Sequence, residues 1–290
     1  MHLWTLPLTL TTALAWSPPT YPNWQTLWFD SFTGPSGTLP DQSKWNILDR
    51  YLNVNNEHQT YVANPHEVQL SGGSTLQLVP WRNASVSPRG WSSGRIESTF
   101  TFTPQPGTRT MAEGLIRFGS HPISAKQGIW PAFWLLGDSI RHGTGWPACG
   151  ELDILETVNG ELTGHGTIHC GVFPGGVCNE PLGRGGKVGI PDQEWQRWRI
   201  VWDRTGAGWE GESVAWYMNE QLFHRVVGAE IWDAAVWAGL AQRPLFFILN
   251  VAVGGDWPGP PNGDTRDGYG SMMEVAYVAL YSERWAREDL

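Results

Sequence analysis

Gly150-Glu151-Leu152-Asp153-Ile154-Leu155-Glu156 alternates acids with aliphatic residues. In an extended strand, residues i and i+2 share a face, so Glu151 and Asp153 point one way while aliphatic side chains pack behind them. Glu156 stands five positions after Glu151 and would fall on the opposite face of a regular strand. One extra residue between Asp153 and Glu156, a β-bulge, returns it to the acidic face. The stretch therefore predicts a half-buried strand presenting three carboxyls in a row.

Strand-like patterning recurs on both sides of it. Leu76–Val79 follows the turn Gly72-Gly73-Ser74, and 95–102, 114–118, 198–202 and 274–281 alternate or run apolar as strands do. Val214–Met218 and Gln221–Arg225, joined by Asn219-Glu220, read as a hairpin. Helical periodicity is scarce, with one short helix expected between Glu230 and Leu240. Thirty-five Gly and 21 Pro supply many turns. The prediction is an all-β chain of two stacked antiparallel sheets.

Leu3 to Leu14 is an apolar run followed by Ala15, and at about a dozen residues it is too short to span a bilayer. It reads as a secretory signal peptide, so residues 1–15 are set apart and 16–290 taken as a single domain, secreted and extracellular. No later stretch approaches the ~20 apolar residues of a membrane helix. A net charge of −9 argues against nucleic acid as a partner, since tracking phosphates needs clustered Lys and Arg. Cys170 and Cys178 enclose a short loop with Pro174-Gly175-Gly176 and are expected to form a disulfide in an oxidising compartment, leaving Cys149 buried. Asn83-Ala84-Ser85 is a glycosylation sequon. Nineteen Trp are far more than a core requires, because a buried indole N–H needs a partner. Flat aromatic faces suit stacking on sugar rings, although at least half are expected in the core and in strand pairs.

Three carboxyls on one surface repel, and repulsion with partial burial raises one carboxyl's pKa while others stay ionised. Glycoside hydrolysis needs that division of roles. One carboxylate attacks the anomeric carbon while a protonated carboxyl donates to the leaving oxygen, and a separation of about 5–5.5 Å gives retention. Glu151 is assigned as nucleophile, Glu156 as acid and then base, and Asp153 as the assisting residue between them.

The stretch resembles glycoside hydrolase family 16, the laminarinase and lichenase group, whose signature is E-x-D-x-(x)-E. Here it takes the longer, bulged, laminarinase-type form. Further matching pieces are Ser93-Gly94-Arg95-Ile96, Gly128 to Gly137, Gly166-Thr167-Ile168-His169, Ser213 to Tyr217 and Leu249 to Gly259, so that the resemblance spans residues 24–282. It implies a concanavalin A-like β-jelly-roll sandwich with a concave substrate cleft, and a β-glucan polysaccharide as partner. It implies that Trp130, Trp134, Trp146 and Trp257 stack on or flank sugars. It also implies that Asn56 and Arg95 hydrogen-bond sugar hydroxyls and that His169 tunes the acid/base or binds sugar. A salt bridge for Arg95 and core packing for Trp134 are the structural alternatives. Many members carry an Asp in a V-D-Y-V pattern as part of a calcium site. Here Val275-Ala276-Tyr277-Val278 lacks it, and although Asp30 remains, no cofactor or metal is expected.

The resemblance implies a retaining endo-β-glucanase acting on β-1,3- or mixed β-1,3/1,4-glucan; a monomer is the default expectation for an enzyme working on a polymer. A cell-wall glucan transglycosylase would use the same covalent intermediate. A non-catalytic β-glucan lectin is disfavoured because all three acids are present.

Overall fold

The computed structural model describes residues 16–283. The expected signal peptide, residues 1–15, lies outside the described residues.

The alternating segments form two large antiparallel sheets. One runs in the order Gln221–Val227, Ser213–Met218, Gln196–Asp203, Arg109–Phe118, Met273–Glu283, Leu76–Leu78 and Val68–Leu70, with Trp24–Asp30 also paired to Met273–Glu283. The other runs Arg184–Gly189, Thr163–His169, Glu151–Glu156, Ile129–Gly137, Leu245–Val253, Arg95–Ser98 and Trp45–Ile47. The acid-bearing strand is thus an interior strand, third of the seven in its sheet. A small third sheet joins Gln59–Tyr61, Trp91–Ser93 and Trp81–Arg82. This is the β-jelly-roll sandwich expected from the sequence.

Between the large sheets lies one core. Leu152, Ile154, Leu155, Phe133, Leu135 and Phe247 of the acid-bearing sheet belong to the same buried cluster as Trp198, Ile200, Trp202, Val214 and Trp216 of the other. Each buried Trp removes roughly 150–250 Å² from water, and their bulk dictates what can face them. Gly164 and Gly166 stand where a Cβ would come within 2.2 Å of Trp198 and 2.5 Å of Trp216, so the Thr163–His169 strand lies flush on the indoles only because it is glycine-interrupted. Trp45, Trp91, Trp198, Trp202, Trp216 and Trp237 are buried. The other indoles among the described residues remain partly or largely exposed to solvent.

Three local readings are refined. Asn219 and Glu220 both adopt left-handed φ, 46° and 70°, as a two-residue hairpin turn requires. The helix spans Ala234–Ala241, later than expected. Gly228–Glu230 forms a 3-10 turn instead, and Asp233 caps the helix by accepting from Ala235 N and Val236 N. The strand expected over 95–102 ends at Ser98 and resumes only as an isolated bridge from Phe102 to Leu245. Cys170 and Cys178 are disulfide-bonded, and Cys149 is free and buried. Burial pushes the Cys149 thiol up to about 12, which leaves it unreactive.

Candidate active site

The bulge is where the acid spacing demands it. Asp153 pairs with Trp134, but Leu155 pairs with Phe133, so Ile154 is the extra residue. Register then fixes the faces, because directly paired residues of an antiparallel ladder share a side of the sheet. Glu151 lies opposite Leu136, Asp153 opposite Trp134 and Glu156 opposite Ala132. Those three partners alternate along one strand and share a face, so all three acids do too. On the other side, His169, Thr167 and His165 pair with Glu151, Asp153 and Glu156 in turn. The same face continues through Ala252, Asn250, Ile248 and Phe246 to Arg95 and Glu97.

A bulge leaves backbone groups out of the ladder. The Trp216 indole, reaching across the core from the opposite sheet, donates to the Asp153 carbonyl at 2.7 Å. Core and site are therefore joined at this residue. Trp216→Phe keeps the aromatic bulk but orphans that carbonyl, at a cost of about 1–3 kcal/mol. Thermal denaturation should show a lowered Tm, and a Tm equal to wild type would mean that the bond does not hold the bulge.

The three acids differ in surroundings. Glu156 Oε1 accepts from the Trp130 indole at 2.9 Å. Burial, and then the charge of Glu151, push the Glu156 carboxyl up to about 7 against that hydrogen bond. Asp153 is buried, with Oδ2 making no hydrogen bond and lying 3.5 Å from His169 Nε2. Burial and the charges of Glu156 and Glu151 hold it well above the ordinary carboxylate range. Burial, with the charge of Glu180, holds Glu151 above the ordinary carboxylate range against the pull of His169, Arg95 and the Trp146 indole. His169 Nε2 is 4.0 Å from Glu151 Oε1.

The remaining expected residues surround this row. Trp146 lies 5.6 Å from the His169 ring, at the Glu151 end. Trp130 meets Trp257 edge-on at 5.5 Å at the Glu156 end, and His165 meets Trp257 at 5.0 Å. Trp134 is half-buried, donates from its indole to Asn250 Oδ1 at 2.7 Å, and has the Arg95 guanidinium 5.0 Å above its ring. Arg95 also bonds Glu97 at 2.7 Å, so the salt-bridge alternative holds alongside its place on the cleft face. Asn56 is not on the acid-bearing sheet. It sits on an exposed loop and donates to Asp256 at 2.6 Å, next in sequence to Trp257.

Two residues of the site escaped the sequence reading. Glu180 is buried and accepts from His169 Nδ1–H at 2.6 Å. Asn250 receives the Trp134 indole and donates to the Tyr61 hydroxyl at 3.1 Å. Glu180 follows Cys178 closely in sequence, and an acid tied to a disulfide loop was the only available signal. Asn250 appeared only inside a matched motif.

Glu151, Asp153 and His169 each present a ligand atom within 4.8 Å of one another. The carboxyls around His169, Glu180 above all, raise its pKa despite its burial, and its Nδ1 is already committed to Glu180. Asp30 receives Trp45 Nε1 at 2.7 Å, Lys44 Nζ at 3.2 Å and Phe32 N at 3.2 Å, so an ammonium already neutralises it. A separate groove of about 410 Å³ on the other sheet is lined by Trp24, Met111, Val201, Tyr217 and Arg225. Its one acid, Asp203, is paired with Arg109, so paired-carboxyl chemistry belongs to the open cleft.

Comparison with known proteins agrees with this geometry. A family model described as the XgeA-like, catalytic GH16 domain matches residues 55–178. The solved endo-1,3-beta-glucanase of Streptomyces sioyaensis superposes with a TM-score of 0.84 at 32% identity, over 92% of this chain and 99% of that one. The beta-glucanase of Rhodothermus marinus is 29% identical over 91% of this chain and 86% of its own length. The glucan endo-1,3-beta-glucosidase A1 of Niallia circulans is 27% identical over 89% of this chain but only 38% of its own length. The chain belongs to glycoside hydrolase family 16, and it is a glycoside hydrolase.

Proposed function

We propose that the protein is a secreted, retaining endo-hydrolase of β-1,3-glucan, accepting mixed β-1,3/1,4-glucan as well. The observation that carries this reading is the bulged row of Glu151, Asp153 and Glu156 on one cleft face, with unequal surroundings for the two glutamates. Glu151 faces His169 and attacks the anomeric carbon. Glu156 holds a proton near neutrality and delivers it to the glycosidic oxygen as that bond breaks, leaving a glycosyl ester on Glu151. Glu156, now ionised, takes a proton from water, which attacks the anomeric carbon, expels the Glu151 carboxylate and releases product with its configuration retained. Asp153, buried between them, is pushed toward its protonated form by burial and by the charges of Glu156 and Glu151, which limits the charge in the row. Trp146 on one side and Trp130 with Trp257 on the other offer ring faces to sugars flanking the scissile bond, consistent with cutting inside a chain. The named activities of the relatives support β-1,3-linked glucose as substrate, and the disulfide supports export to an oxidising compartment. The chemistry needs no metal.

The test is a time course with laminarin and with barley mixed-linkage glucan, following reducing ends and product lengths. New reducing ends with a spread of short oligosaccharides are expected. Chain lengths that redistribute without new reducing ends would instead indicate transglycosylation, and binding without any change would indicate a lectin.

A pH dependence follows. The acid must be protonated to act, and Glu156 is pushed up to about 7. On this account kcat/KM falls as pH rises through about 7, as the proton is lost. A rate that holds level to pH 9 would exclude Glu156 as the acid.

A further inference from the structure

The Glu180 side chain is fully buried, and His169 is its only cationic partner among the described residues. Both carboxylate oxygens are committed. Oε2 accepts from His169 Nδ1–H at 2.6 Å and Oε1 accepts from Cys170 N at 2.7 Å. The backbone of Glu180 is clamped as well, exchanging two hydrogen bonds with Gly175 inside the loop that the Cys170–Cys178 bridge closes. A buried carboxylate is costly unless a cation pairs with it. Here the cation available is an imidazolium, and its second N–H, on Nε2, points to Asp153 and Glu151 at 3.5 and 4.0 Å.

We infer that Glu180 is a positioning residue for the hydrolysis: it fixes the His169 ring through Nδ1 and keeps it an imidazolium, which sets a positive charge against Glu151. The inference rests on the proposed retaining hydrolysis, in which Glu151 must be ionised to attack. The charged groups that face His169 all act one way. Glu180 lies on one side, Glu151 on the neighbouring strand, and Glu156 farther along it, each favouring the proton that burial alone would remove. Arg95 acts on Glu151 as a second positive charge, while the Glu180 charge itself acts on Glu151 in the opposite sense, so the help Glu180 gives runs through the His169 ring that it holds and charges. The disulfide-closed loop thereby has a role in the reaction, because it delivers the carboxylate that charges the histidine.

The experiment uses the mature protein and Glu180→Gln, which preserves shape and an acceptor oxygen but removes the charge. Imidazole NMR should show the His169 titration midpoint falling by about one pH unit or more, because its strongest anionic neighbour is gone. On glucan, kcat should fall about tenfold with little change in KM, since the lost interaction concerns the attacking group and not sugar binding. In a His169→Gln background, Glu180→Gln should add almost nothing, as two residues acting through one bond do not contribute independently. An unmoved His169 midpoint, or losses that multiply independently in the double variant, would overturn the inference and leave Glu180 a loop anchor. If Glu180→Gln does not fold, His169→Gln alone decides. Removing the imidazolium should raise the Glu151 midpoint and move the acidic limb of the kcat/KM profile to higher pH, and an unmoved limb would refute the inference. Failure of the hydrolysis reading itself is seen separately, as a wild-type protein that leaves glucan uncut, while the NMR midpoint still reports on the Glu180–His169 pair.

Discussion

Glu151→Gln is expected to lower kcat on glucan by about 10³-fold or more while leaving Tm within a few degrees of wild type. The carboxamide fills the same space at the start of the strand, and the packing behind it, through Leu152, is untouched. What disappears is the nucleophile, without which no glycosyl ester forms. Because later steps depend on that ester, an activated aryl glycoside should not restore turnover. Binding of oligosaccharide should persist, since Trp130, Trp134, Trp146 and Trp257 are unaltered. Retention of near-native kcat by a folded Glu151→Gln would remove Glu151 from the mechanism.

Glu156→Gln is expected to behave differently, and the contrast identifies the roles. On polymer, kcat should fall by about 10²–10⁴-fold, the usual contribution of a positioned acid/base. With a good aryl leaving group the first step needs no proton, so the glycosyl-enzyme forms and accumulates. Azide, which needs no base to activate it, should then accelerate turnover and yield a β-glycosyl azide. The fall in activity above neutral pH should also vanish on such a substrate. An azide-insensitive Glu156→Gln, or one still losing activity through about pH 7, would assign the proton to another group.

The sequence and the fold meet most closely at the bulge. Acids at positions one, three and six of a strand-like run are consistent with one-sided display only if a residue is added, and Ile154 is that residue. Glycines and hairpin residues were likewise legible, because left-handed φ at Asn219-Glu220 is a local requirement. The features that were not legible depend on contacts distant in sequence. Trp216 supports the Asp153 carbonyl from 63 residues away, and nothing in its own segment marks it apart from other core indoles. Glu180 reaches His169 only after the Cys170–Cys178 loop folds back. The helix begins later than the apolar stretch from Glu230 suggests, because a 3-10 turn over Gly228–Glu230 takes up its start. Asp233 became the cap, while Glu230 closes the preceding 3-10 turn by accepting from Val227 N.

The differing fates of the cleft residues have one physical cause. Residues on paired strands, such as Trp130, Trp134, Arg95 and His169, are held by register against the acids. Asn56 and Trp257 sit on loops joined by the Asn56–Asp256 hydrogen bond and by Asp256 N donating to Asn55 O at 2.8 Å. Loops at the ends of a rigid sheet vary most readily in shape, so preference between linkages is expected to respond to changes at Asn56 and Trp257 more than to changes at Trp134.

The central claim is retaining hydrolysis inside a glucan chain by Glu151 and Glu156. Proton NMR of fresh laminarin digestion, recorded before products mutarotate, tests it most directly. The account predicts that the first new reducing-end signals belong to the β-anomer of oligosaccharides several units long, with the α-anomer appearing only later. A first-formed α-anomer would contradict it, because it would mean direct displacement by water with no ester on Glu151.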